Sequence, residues 1–204
     1  MYNIYYIGGS PCSGKSTIAE LLCKKYDFIY YKVDDYLNEY ITQAAKCNDT
    51  ICAKVIKMSP EEIWMRDPSI QNEEEFQIYR EIHPFIHNEL CKLANKNNVI
   101  TEGAAFLPEI IHQLAVPQDH YVCITPTKEF QIYHYRQREW IPYILEGCSN
   151  KDEAFMNWME RDALFAEQIR SQCKELGYYS ITNDGTHSID SMLSDICQHY
   201  HFEL

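Results

Sequence analysis

Apolar, aromatic and β-branched residues gather in five short runs along the chain: Tyr2 to Ile7, Phe28 to Val33, Asn98 to Thr101, Tyr121 to Thr125 and Tyr178 to Thr182. Each is short enough for a buried strand, and the longer stretches between them repeat their apolar positions with helical spacing. Five strands alternating with helices predict an α/β fold, a parallel sheet covered on both faces.

Helix punctuation supports the division. Ser59-Pro60-Glu61-Glu62 combines a candidate N-cap, a proline at the first helical position and a capping-box glutamate. Thr125-Pro126 repeats the cap-then-proline part and predicts another start. From Glu73 to Lys96 a helical pattern runs through Phe76, Ile82, Phe85, Ile86, Leu90 and Leu93, with Pro84 expected to bend or divide it. From Lys151 to Leu176, Phe155, Trp158, Phe165, Ile169, Cys173 and Leu176 fall roughly on one face, and Gly177 follows as a stop.

Composition sets the bounds. With 204 residues and 46% hydrophobic content the chain can bury one substantial core, so a single domain over residues 1–204 is expected. The net charge of -12, from 18 Lys and Arg against 30 Asp and Glu, disfavours tracking along nucleic acid. A few well-placed cations can still serve a small phosphate ligand. Nine cysteines without CxxC pairs, on a chain opening directly with the strand-like MYNIYYI, predict reduced thiols and a cytoplasmic protein. No apolar run is long enough to cross a bilayer, so no membrane partner is expected. Oligomeric state is unreadable.

The chemistry concentrates in Ile7 to Thr17. Gly9-Ser10-Pro11-Cys12-Ser13-Gly14-Lys15-Ser16 fits G-x-x-x-x-G-K-[ST] in full, after a predicted strand and before the amphipathic Ile18, Ala19, Leu21 and Leu22. Glycines at this spacing let successive backbone N–H groups turn inward around phosphate oxygens, and the helix N-terminus adds positive charge. Lys15 is placed to reach the outer phosphates and the Ser16 hydroxyl to coordinate Mg2+, with Thr17 closing the cradle. Modification of the Cys12 thiol within this loop would be expected to block nucleotide entry.

On this motif and its setting the chain resembles the P-loop kinases of small molecules, the nucleoside-monophosphate-kinase-like group that includes shikimate kinase, gluconate kinase and chloramphenicol phosphotransferase. The resemblance implies a three-layer P-loop NTPase fold with a five-stranded parallel sheet in order 2-3-1-4-5, ATP over the loop and an arginine-bearing helical lid, here within 126–176. It also implies acceptor-binding helices between strands two and three, here 47–96, where Trp64, Phe76, Tyr79 and Phe85 either line a pocket or belong to the core.

Further candidates fall at strand ends, where open α/β sheets form their ligand crevice. Asp34, in YKVDDYL, is the candidate base or orienter for an acceptor hydroxyl, as in similar kinases; N-capping of the next helix is its structural alternative. Asp35 is a weaker substrate-side candidate. Glu102 closes the third strand at a Walker B-type position, as a magnesium or substrate ligand or as a turn cap, while Gly103 would allow close ligand approach. Arg136 and Arg138 occupy the interval of the lid arginines; two positions apart on a helix they diverge, so one faces phosphate while the other pairs with Glu139 or Glu129. Arg66 and Arg161 are candidates for an anionic part of the acceptor, although the aspartate that follows each offers a local ion pair. Asn183, Asp184 and Gly185 lie where the resemblance places the adenine, and turn chemistry alone also explains them. His83 and His87 share i,i+4 spacing but lack a third ligand, which favours a plain helix surface over a metal site. Two function classes result: a Mg2+-dependent ATP kinase of a small-molecule acceptor, or a nucleotide-binding regulatory module with little phosphotransfer.

Overall fold

The computed structural model describes residues 3–47 and 50–203. Tyr2, where the first strand is expected to begin, and Asn48 and Asp49 of the 47–96 insertion lie outside the described residues. Five strands, β1 (Ile4–Gly9), β2 (Ile29–Lys32), β3 (Val99–Glu102), β4 (Tyr121–Pro126) and β5 (Tyr179–Asn183), pair in parallel in the order β2-β3-β1-β4-β5. The helices are α1 (Lys15–Tyr26), α2 (Leu37–Ala44), α3 (Ile51–Val55), α4 (Pro60–Trp64), α5 (Pro68–Ala94), α6 (Pro108–Gln113), α7 (Lys128–Tyr135), α8 (Ile141–Ile144), α9 (Lys151–Leu176) and α10 (Ile189–His199).

The strand period of two explains the layering. Tyr5 and Ile7 of β1, and Val122 and Ile124 of β4, point to one face and pack on α1 and α10 through Ile18, Leu22, Met192 and Ile196. Tyr6, Tyr121 and Cys123 alternate to the other face, where α5, α6 and α9 contribute Phe76, Ile82, Ile111, Phe165 and Ile169. With both faces covered, β1 and β4 need no polar alternation, and β4 is buried throughout. A third cluster, of Tyr135, Ile141, Leu145, Phe155, Trp158 and Met159, joins α7 and α8 to the first half of α9. Trp64 stacks on Trp158 at 4.3 Å between ring centroids, and Trp140 lies 6.0 Å from the same ring.

Two expected boundaries change. Pro84 does not divide its helix: α5 runs unbroken for 27 residues from Pro68, which sits at its first turn behind the Asp67 cap. Proline forfeits one backbone bond, but buried Ile82, Ile86 and Leu90 on either side anchor the helix to the sheet, and tertiary packing outweighs that loss. Thr125-Pro126 is not a helix start either. Pro126 pairs with Asn183 as the last residue of β4, and Thr127 caps α7 by accepting the N–H of Phe130. The Ser59 capping box forms as expected, with Glu62 accepting the Ser59 N–H at 2.8 Å.

Candidate active site

The sheet order places the carboxyl ends of β1, β2 and β3 side by side. Lys32 pairs with Glu102 and Glu102 with Ile7, so the loop after β1 faces the acids that end β2 and β3. Gly9, at φ +123°, lies so close to β4 that an added Cβ would fall 1.8 Å from the Ile124 carbonyl oxygen. Gly14, at φ +94°, caps α1 in the left-handed conformation and turns the chain from loop to helix. Pro11 and Cys12 sit half-buried between them, and Thr17 is exposed one turn into the helix.

Lys15 is 7% exposed and its Nζ donates to the Ser10 carbonyl at 2.8 Å, which folds the side chain back over the loop. Ser16 Oγ donates to Glu102 Oε1 at 2.9 Å. Tyr30 Oη donates to the same oxygen at 3.0 Å, a partner that sequence reasoning missed because nothing in a strand pattern singles out one tyrosine among many. Glu102 is 1% exposed, and these two donors compensate its burial. It is therefore no turn cap. Burial, then the Glu102 charge, raises the Tyr30 phenol above its ordinary range, which keeps it a donor.

Asp34 lies in a short 3-10 turn, Val33–Tyr36, between β2 and α2, and no side chain caps either helix start. The N-capping alternative thus fails, because Asp34 lies inside the 3-10 turn and Tyr36, not Asp34, stands at the N-cap of α2. Solvent reaches Asp34 from the open side, yet the protein surrounding it still raises its carboxyl above the ordinary value. Desolvation is the leading cause; Lys15 pulls the value down and Glu102 pushes it up, so all three charges share one site. Asp35 is exposed, 4.0 Å from Lys32 Nζ, and faces solvent. Gly103 serves packing rather than ligand approach: an added Cβ would meet Val33 Cβ at 2.9 Å.

Of the lid arginines, Arg138 reaches the phosphate loop, its Nη2 donating to Cys12 Sγ at 3.1 Å. Burial pushes the Cys12 thiol up, and Arg138 draws it partly back. Arg136 is exposed and lies over the Phe155 ring at 5.8 Å, paired with neither Glu129 nor Glu139. Arg66 pairs with Glu74 at 2.5 Å, while Asp67 is taken by the α5 cap. Arg161 is 8% exposed, 2.6 Å from both Glu75 and Asp162, with Trp64 stacked beside it. Burial pushes the Asp162 carboxyl up to about 6, with Arg161 opposing.

The turn after β5 braces the loop. Asn183 is buried, its amide donating to the Ser13 carbonyl at 3.1 Å and its Oδ1 accepting from Gly185, so both ends are committed within the protein. Asp184 accepts from Thr186, and Gly185 adopts φ +88° against Phe130. The Asn183 side chain is thereby committed to the loop and the turn. In the insertion, Phe76 and Tyr79 are buried and Phe85 packs partly buried against the same core, while Trp64 lines a cavity. His83 is not on a plain surface: it is buried, and desolvation lowers its pKa to about 4, keeping the ring neutral. Among the described residues, no group of three His, Cys, Asp or Glu side chains could hold a metal ion.

The donor set fits a polyphosphate with a divalent cation: an ammonium folded over the loop, a hydroxyl beside a buried carboxylate, and the Ser10 and Ser13 hydroxyls buried without a protein partner. Strand order and this loop define a P-loop α/β fold of the kind small-molecule kinases use. No protein-family model matches the chain, and no curated protein matches it in sequence. Among solved structures it is similar to shikimate kinase from Bacteroides thetaiotaomicron, at 15% identity and a TM-score of 0.44, over 97% of this chain and 95% of that one. It is similar also to shikimate kinase from Aquifex aeolicus, at 20% identity and a TM-score of 0.40, over 98% and 96% of the two chains. The strand order and the loop define the fold independently of these likenesses. Among the described residues, no helix is long and apolar enough to cross a membrane.

Proposed function

We propose that the protein is an ATP-dependent kinase that transfers the γ-phosphoryl group to a hydroxyl or phosphate of a small-molecule acceptor, in the cytoplasm. The observation that carries this reading is the meeting of Lys15, Glu102 and Asp34 at one sheet edge, a phosphate cation and an acceptor-side carboxylate acting on each other across the loop. The backbone amides of residues 10–15 would cradle the phosphates, with Lys15 on the outer ones. Ser16 and Glu102 would hold Mg2+, Glu102 through its second oxygen or a water; the ion's contribution is to neutralise phosphate charge.

Asp34 orients the acceptor hydroxyl and takes its proton as the oxygen attacks the γ-phosphorus. The new P–O bond forms as the β–γ bridging bond breaks, and the electron pair leaves on the ADP oxygen. A carboxyl raised by partial desolvation is a better proton acceptor than a fully solvated one. Arg138, tethered at Cys12, is placed to cover charge that Lys15 alone cannot.

The test is ATP consumption in the presence of Mg2+ with pooled nucleoside monophosphates, sugar acids, aminoglycosides and other hydroxylated metabolites, with products identified by mass spectrometry. One pool should yield a phosphorylated product that Lys15→Ala loses. ATP binding without product from any pool would point instead to a regulatory module.

A further inference from the structure

One cavity of about 410 Å3 opens between α2, the short helices α3 and α4, α5 and α9. Leu37 and Asn38, three and four residues after Asp34, form its near wall, so it begins one helical turn from the candidate base. Glu75 in its lining also accepts the Tyr79 hydroxyl at 2.5 Å, and the Tyr79 phenol in turn feels the Asp34 charge. Through the Leu37 and Asn38 wall the cavity adjoins the segment that carries Asp34.

Its charges cancel internally. Arg66 is closed on Glu74, which Lys54 also holds, and Arg161 is closed on Glu75. Two lining arginines against two lining glutamates leave no net charge, and every one of the four has an opposite charge within 2.6 Å. The remaining wall is apolar, with Ile41, Val55, Ile63, Trp64 and Ile78. Gln71 is buried in the same lining with Nε2 donating to the Arg66 carbonyl at 2.9 Å and Oε1 without a donor. A ligand carboxylate or ammonium entering here would be desolvated without gaining a free counter-charge, since each candidate partner is taken. An apolar body would gain by burial against the aliphatic wall and Trp64.

We propose that this cavity is the acceptor site and that the acceptor is an uncharged alcohol with an apolar body, an inference that rests on the kinase reading above. Arg66 and Arg161 are then structural cations that shape the pocket with their glutamates, not anchors for an acidic acceptor.

Three near-isosteric probes that differ in charge test this: 1-phenyl-1,2-ethanediol, mandelate and 2-amino-1-phenylethanol. Binding to the nucleotide-free protein is measured by titration calorimetry. The diol should bind at least about tenfold more tightly than either ion. Val55→Trp, which fills the cavity from its half-exposed wall, should abolish diol binding. Glu74→Gln, which frees Lys54 and Arg66, should shift the preference toward mandelate. Tighter mandelate binding to the unaltered protein, equal binding of all three, binding of none, or diol binding undiminished in Val55→Trp overturns the proposal. The unaltered-protein comparison stands even if a variant fails to fold. Phosphotransfer to the bound diol is read separately, with ATP and Mg2+ added: a diol that binds but is not phosphorylated counts against the kinase reading and leaves the pocket assignment in place.

Discussion

Tyr30→Phe removes one hydroxyl and leaves the ring, so it isolates a single interaction. Glu102 is buried and receives two hydrogen bonds, from Ser16 at 2.9 Å and Tyr30 at 3.0 Å, both on Oε1. A hydrogen bond to a charged group contributes about 1.5–3 kcal/mol, and a buried carboxylate that loses one donor bears most of that cost. For a chain of this length the loss corresponds to a fall of roughly 3–12 °C in Tm. The assay is urea denaturation of the parent protein, Tyr30→Phe, Glu102→Gln and the double variant, which closes a thermodynamic cycle. The coupling between the two sites should be about 1.5–3 kcal/mol. A coupling below about 0.5 kcal/mol, the scatter expected of independent sites, would refute the claim that Tyr30 supports Glu102. With the tyrosine donor gone Glu102 is less fixed, so the Mg2+ concentration for half-maximal ATP turnover should rise as well.

Asp34→Asn should leave ATP affinity unchanged in calorimetry and lower phosphotransfer by about 10²–10⁴-fold. In the parent protein kcat/KM should fall as pH drops through the raised carboxyl pKa, because the protonated acid accepts no proton, and the position of that acid limb is read from a pH–rate profile. Arg138→Ala should slow turnover by about 10²-fold or more, while Arg136→Ala, which loses only a contact over Phe155, should not change it beyond about twofold; steady-state kinetics of the pair decides. Gly9→Ala should destabilise the fold by about 3 kcal/mol or more in thermal melts, since its Cβ would overlap the Ile124 carbonyl.

The five strands and the phosphate loop were legible because both follow from local pattern: strand-length apolar runs between helical periods, and a loop whose glycines and lysine have fixed spacing; the order of the strands came only through the resemblance that the loop carries. Asp34 and Glu102 were legible for a topological reason, as acids at neighbouring strand ends in a parallel sheet. What stayed hidden depends on contacts across the chain. Tyr30 meets Glu102 over 72 residues, and Arg161 meets Glu75 over 86, separations at which periodicity is silent. The two lid arginines were separable only once Cys12 and Phe155 were in place around them. The brace that Asn183 gives the loop was hidden as well: its amide donates to the Ser13 carbonyl over 170 residues, a bond no local signal announces. Pro84 misled in the opposite direction, since a local rule met a helix held by long-range packing.

The three tryptophans of the chain gather where α4, α8 and α9 meet, Trp64 and Trp140 both against Trp158. Intrinsic fluorescence therefore reports on this one junction and is nearly blind to the sheet. A stopped-flow trace excited through tryptophan would time any change at this junction of α4, α8 and α9 without an attached dye, and an emission change on adding nucleotide would come from there.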